Sequence, residues 1–244
     1  ACTSLTSLTI GDSVTSIGYA SFGGCNSLTR LVVASENPVY YSEGNCIITR
    51  NEKVLIQGCN NSVITQDVTS IGDYAFYGCT SLTSVTIPDS VTSIGDAAFY
   101  GCTSLMSITI PDSVKSVGAE VFSDCISLTR VEIGDGVTTI DDKAFYECTS
   151  LTSITMGNNV TSIYSAAFRG CTALTSITIP NSVMSIRHNI FAYCSSLVRI
   201  CFNGSVEQWN AIEKDPSWDA FYIDFYTIYC IDGEIVKNGT VTYY

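Results

Sequence analysis

The sequence predicts a right-handed α/β repeat solenoid, a rod of short stacked coils with a parallel β-sheet along one side. Three observations predict it. Cys79, Cys102, Cys125, Cys148, Cys171 and Cys194 stand 23 residues apart, as do Cys2 and Cys25. Leu follows the cysteine by three in all eight copies, and Phe precedes it by three from Phe22 and Phe76 through to Phe191. Between these landmarks the apolar residues alternate with period two, the mark of a half-buried strand. One coil of this length cannot bury its own apolar face. A stack can, each coil covering the next at roughly 4.8 Å, so that eight coils make a rod of about 40 Å.

Within a coil the elements follow in order. In "LTSVTI" Leu82, Val85 and Ile87 point one way, as a strand requires. Pro88, replaced by Gly134 and Gly157 in other copies, turns the chain. "SVTSI" is a second short extended piece that buries Val91 and Ile94. "GDAAF" is too short for an independent helix and is expected as one helical or 3-10 turn opposite the sheet, burying Ala98 and Phe99.

Two segments break the period. From Cys25 to Cys79 is 54 residues, one repeat plus 31, and within residues of about 35–66 "CIITR" and "KVLIQ" flank a polar turn. This predicts a β-hairpin projecting from the rod. After Cys194 comes an aromatic tail with Trp209, Trp218, Phe221, Tyr222, Phe225, Tyr226 and Tyr229. Bulky aromatics suit a cap over the last coil, giving a solenoid over 1–202 and a capping segment over 203–244. The chain opens in mid-repeat with no matching N-terminal cap, so it is expected to be a piece of a longer protein.

Composition limits the function. Lys+Arg 11 against Asp+Glu 23 gives a net charge of −12, and no basic cluster offsets it, which disfavours nucleic acid and anionic membranes. No run reaches the roughly 18 apolar residues of a membrane span. His188, the single histidine, occupies a slot filled by Asp73, Asp96 and Asp142 in other copies, so a surface position is expected. No catalytic residue, cofactor or metal site is expected: zinc spacing is missing, and the acidic column Asp89, Asp112 and Asp135 lies at turns where carboxylates usually bond their own backbone. Stacked cysteines come close enough for disulfides, but their Cβ vectors run parallel into the core, which favours free packing thiols. Cys46, Cys59, Cys201 and Cys230 lie outside that column, and a Cys46–Cys59 or Cys201–Cys230 pair stays open.

The motif "AFYGCTSLTSVTIPDSVTSIGDAAF" resembles the BspA-like, treponemal-type leucine-rich repeat of bacterial and some protist surface proteins, from Cys2 to about Phe202. The insertion resembles an extended variant of that repeat. The tail resembles the C-terminal segment of such proteins from gut bacteria. The resemblance implies a leucine-rich-repeat superhelix, an extracellular or cell-surface location and adhesive or protein-binding roles. It carries no catalytic residues over.

Binding residues are therefore sought among outward positions. Ser7/Thr9, Ser84/Thr86, Ser107/Thr109, Ser153/Thr155 and Ser176/Thr178 form a hydroxyl ladder on the sheet face, interrupted by Arg30, Arg130 with Glu132, and Arg199. Short hydroxyl residues can simply solvate a strand face; alternatively, Thr86, Thr109, Thr155 and Thr178 form a polar surface for a protein or glycan, with the arginines as anchors. Tyr77, Tyr100 and Tyr146 make a second, aromatic stripe. The expected function is a non-enzymatic binding or adhesion module. The alternatives are a spacer for another domain of a longer chain, and carbohydrate binding by the tail, which requires exposed Trp209 and Trp218.

Overall fold

The structure, a computed structural model, describes residues 2–219, 226–237 and 240–244. It is a parallel-strand β-solenoid of about nine turns. Its one helix among the described residues is Val206–Ala211, started by a Ser205/Gln208 capping box.

The front ladder carries strands Ser7–Ile10 and Arg30–Val33, then Ser107–Ile110, Arg130–Ile133 and Ser153–Thr155, then Ser176–Ile179, Arg199–Phe202 and Thr227–Cys230. Register follows the repeat: Ile108, Val131 and Ile154 lie side by side, as do Ile177, Ile200 and Ile228. These residues are buried and their neighbours in sequence face outward, as the period of two requires. One expected strand is absent. Residues 82–88 pair with no neighbour as a strand, so Thr86 is exposed but stands outside the ladder. The inserted segment enters the stack ahead of this coil. Asn60 links the two sides there, its backbone N–H donating to Leu28 O and its side-chain oxygen accepting from Ser81 N–H, both at 3.3 Å.

The "SVTSI" pieces form a second parallel ladder rather than isolated extended segments. Ser70–Ile71, Ser93–Ile94 and Ser116–Val117 pair in register, as do Thr139–Ile140, Ser162–Ile163, Ser185–Ile186 and Glu213–Lys214.

The helical or 3-10 turn expected at "GDAAF" is replaced by a tandem of turns. Ala97 has φ 50° and Gly101 φ 68°, and the pair repeats as Glu120 with Asp124, Lys143 with Glu147, and Ala166 with Gly170. Left-handed backbone is costly for residues other than glycine. What sustains it is bonding between coils: Phe99 N–H donates to Val121 O at 2.9 Å, Phe122 to Ala144 O at 2.9 Å and Phe145 to Ala167 O at 2.8 Å. A helical turn would direct these groups along the chain instead.

Inside, Phe76, Phe99, Phe122, Phe145, Phe168 and Phe191 form one continuous stack with centroids 4.9–5.7 Å apart. At its head lies Gly58, where a Cβ would come within 2.0 Å of the Phe76 ring. Beside the stack runs the cysteine column. Cys102, Cys125, Cys148, Cys171 and Cys194 each donate the thiol proton to the carbonyl of a phenylalanine 26 residues earlier, at 3.0–3.2 Å. All twelve cysteines are free. Cys46 donates to Gly44 O and Cys59 to Asn45 O, both at 3.6 Å, so the Cys46–Cys59 pair left open by the sequence does not form.

The insertion does not project. Tyr40–Glu43, Cys46–Thr49 and Val54–Gln57 form an antiparallel meander whose last strand joins Ser70–Ile71 in the second ladder. Cys46, Ile47, Ile48 and Leu55 are fully buried. Three apolar side chains in a row, Cys46, Ile47 and Ile48, put apolar surface on both faces of the strand, and the meander buries them together with Leu55 by standing within the stack. Ile47 faces an N-terminal core with Leu28 and Leu31, and Ile48 and Leu55 face the main core.

The tail adds the ninth turn, Glu213–Lys214 extending the second ladder and Thr227–Cys230 the front one. Gly233–Val236 and Val241–Tyr243 then close the front sheet antiparallel. Trp209 is buried, edge-on to Phe202 at 5.2 Å and to Trp218 at 5.7 Å. Phe221, Tyr222 and Phe225 lie outside the described residues.

Truncating Phe122→Ala opens the middle of the stack and is expected to lower stability by about 3–5 kcal/mol in urea unfolding. Phe22→Ala, at a partly buried site beyond the insertion, costs less.

Candidate functional site

The front ladder places most of the outward residues that the sequence singled out. Arg130 lies between Ser107 and Ser153, and Glu132 between Thr109 and Thr155. These side chains share one patch because the strands are in register and each projects on the same phase of the pleat. Arg130 forms an ion pair with Glu132 on its own strand, and Thr109 donates to the Glu132 carboxylate at 3.2 Å. Hydrogen bonding from Arg130 holds the Glu132 carboxyl below its ordinary range. Thr178 and Arg199 lie on the next ladder, where the Arg199 guanidinium stands 4.3 Å over the Tyr229 ring. Arg30 belongs to the separate N-terminal ladder, in register with Ser7. The structure thus brings together Thr109, Arg130, Glu132 and Thr155, and separately Thr178 with Arg199; it does not join Arg30 or Thr86 to either.

Tyr229 is a member of this face that sequence reasoning gave to the cap. The alternation in "TIYC" was the available signal, since Ile228 and Cys230 are buried and Tyr229 is not. The threonines flanking the face have a structural use. Thr129 donates its hydroxyl to Met106 O at 3.0 Å and Thr152 to Thr129 O at 3.1 Å, each one coil back.

The tyrosine stripe divides. Tyr77 and Tyr100 stack at 5.0 Å, and buried Ser123 takes the next position. Tyr146 follows with the Arg169 guanidinium 5.7 Å from its ring, and Arg169 also lies 4.8 Å from Tyr193. Since Tyr77 and Tyr100 cover each other's faces, their edges and hydroxyls are what the stripe offers. The Tyr100 phenol is pushed up to about 12, first by its hydrogen bond to Asp124.

The acidic turn columns differ from expectation. Asp112 and Asp135 bond the backbone of the next coil and not their own: Asp112 accepts from Asp135 N–H at 2.8 Å and Asp135 from Asn158 N–H at 2.6 Å. Asp73, in the column of His188, accepts from Asp96 N–H at 2.9 Å. Among the described residues no group of three or more His, Cys, Asp or Glu could hold a metal ion. His188 is exposed and 3.1 Å from the Ser165 hydroxyl. Burial pushes the Cys46, Cys79 and Cys125 thiols up to about 12, the opposite of what a nucleophile needs. In the tail, Trp209 lies in the core with Lys214 Nζ 4.9 Å from its ring, so it is not the exposed ring that a sugar platform requires, while Trp218 is half-buried.

Comparison with known proteins agrees with this geometry. The family described as "BspA type Leucine rich repeat region" matches in six copies, over residues 1–46, 57–172 and 115–212. No curated protein matches. Among solved structures, a leucine-rich repeat protein from Eubacterium ventriosum is 24% identical with a TM-score of 0.78, over 91% of this chain and 60% of that one. A leucine rich cell surface protein from Faecalibacterium prausnitzii is 30% identical with a TM-score of 0.67, over 87% and 52%. The pneumococcal vaccine antigen PcpA is 21% identical with a TM-score of 0.62, over 83% and 46%. The chain therefore spans about half to three-fifths of the length of these structures. Among the described residues no helix is long and apolar enough to cross a membrane.

The raised thiols carry a pH dependence. Their folded pKa lies above the ordinary 9.0, so the fold favours the neutral thiol. The stability this gives is fully present below pH 9 and is lost as pH rises through about 12. Urea midpoints are expected to fall over that range. At neutral pH an aromatic disulfide reagent should modify Cys2, Cys25 and Cys201 well before the nine buried cysteines.

Proposed function

The chain belongs to the BspA-type leucine-rich repeat family, and from that premise we propose that it is a non-enzymatic binding or adhesion module of a secreted or surface-displayed bacterial protein. Its contact surface is the front sheet, and its partner a protein or glycan. The observation that carries this reading is the Arg130–Glu132 pair, exposed and set in register between two hydroxyl-bearing strands. Arginine on a rigid sheet can make directed, bidentate contacts without reorganising the chain beneath it. Further along the rod Arg199, over the Tyr229 ring, offers a second outward arginine. The surface location rests on the family and on the Faecalibacterium structure, which is described as a cell surface protein.

A second reading, a spacer that holds another domain away from its anchor, is favoured by the fact that the chain spans only 46–60% of the solved relatives. In that case the repeats would serve as length alone.

Screening the protein against arrayed glycans and immobilised extracellular proteins separates the two. With a ligand in hand, Arg130→Glu and Arg199→Glu are expected to weaken binding about tenfold or more. Unchanged affinity in both variants rules out the front sheet, and no ligand from either array favours the spacer.

A further inference from the structure

The second ladder carries a cavity that the front-sheet reading does not use. Where the insertion meets the solenoid, a pocket of about 290 Å³ opens between the first coil and the meander. Ile17, Val54 and Ile56 supply apolar lining, the exposed Tyr19 ring stands at the rim, and Glu52 and Asp73 bring two carboxylates. Through Gly72 and Asp73 the pocket continues into a groove of about 390 Å³ along the rod. There Ser70, Ser93 and Ser116 alternate with glycines, and Asp96 and Asp141 add further negative charge.

Neither lining contains a lysine, arginine or histidine. The basic residues nearest in sequence are engaged elsewhere. Lys53, next to Glu52, stands 4.6 Å over the Tyr41 ring and 3.9 Å from Asp67. Lys115 donates to Asp112 O at 3.0 Å, and Lys143 pairs with Glu120 at 2.7 Å. The groove's carboxylates are also fixed in place. One oxygen of Asp73 accepts from Asp96 N–H, and one of Asp96 from Ala119 N–H at 2.8 Å. Gly95 and Gly118 make that approach possible, since a Cβ at either would come within 2.3–2.4 Å of the carboxylate oxygen.

From this geometry we infer that the pocket and groove bind an extended basic segment of another polypeptide, with one lysine or arginine side chain seated in the pocket. The apolar lining accepts the aliphatic stem, Tyr19 and the two carboxylates receive the cation, and Asp96 and Asp141 meet further basic residues along the groove. Carboxylates already held by the coil lose little freedom on binding. A bare metal ion is a poorer match, because among the described residues no three acidic groups converge.

The test is fluorescence anisotropy of labelled hexalysine at physiological ionic strength, which screens general attraction to an acidic protein. Two triple variants remove the same charge: Glu52→Gln/Asp73→Asn/Asp96→Asn in the site, and Asp89→Asn/Asp112→Asn/Asp135→Asn on the other turn. Asparagine retains the oxygen acceptor and already stands in the latter column at Asn158, which occupies the place of Asp135 one coil on. Glu52→Gln alone, at an exposed position, guards against a folding defect. The inference expects the site variant to lose about tenfold in affinity, Glu52→Gln severalfold, and the matched variant under about twofold. Equal losses in both triple variants, no binding by the wild type, or displacement of hexalysine by millimolar calcium would overturn it. None of these outcomes bears on the front sheet, whose variants lie on the other ladder.

Discussion

The fold depends on one node repeated along the rod, the phenylalanine backbone. Phe99 donates its N–H to Val121 O in the following coil, and its carbonyl accepts both Cys102 N–H and the Cys125 thiol. A carbonyl has two lone pairs, and here both are used inside a dry core. Losing the thiol would leave this carbonyl one donor, Cys102 N–H, in place of two, at a cost of about 1 kcal/mol or less. This explains why the column is cysteine. Alanine would fill the space but offer no proton, and serine would bring a more polar hydroxyl with unmet acceptor capacity. The thiol is small, apolar and a weak donor.

Because the node links each coil to the next, the coil can be closed on three sides. The two parallel ladders hold the front and one flank, and the left-handed turns hold the third side through bonds between coils. The fold therefore makes no demand on the outward positions of the strands beyond modest size and polarity. Arg130, Glu132 and Arg199 stand at such positions. So do Ser93 and Ser116 on the flank, where small side chains and glycines leave a groove. Binding is written on a frame whose rigidity comes from residues it never touches.

The period, the strand phase and the burial of phenylalanine, leucine and cysteine were legible because each is a pattern of apolar spacing. The same pattern located the front-sheet residues, apart from Thr86, whose segment pairs with no neighbour as a strand, and Arg30, which lies on the separate N-terminal ladder. What stayed illegible were the partners of polar groups. Spacing does not reveal that Asp73 bonds a backbone N–H one coil away, or that Ala97 and Lys143 adopt positive φ, since their side chains give no sign of it. The insertion was recognised as β-structure but set outside the rod. The run Cys46-Ile47-Ile48, apolar on both faces of the strand, was the overlooked clue that it lies within two cores at once. The flank pocket arises from that placement and could not be foreseen from the repeat.

Native-state amide hydrogen exchange tests this account most directly. If the coils interlock through the phenylalanine backbone, the amides of Phe99, Phe122 and Phe145 should be as protected as those of the Arg130–Ile133 strand, although they lie in turns. Exchange of those three amides at the rate of an exposed loop, with the strand still protected, would contradict it.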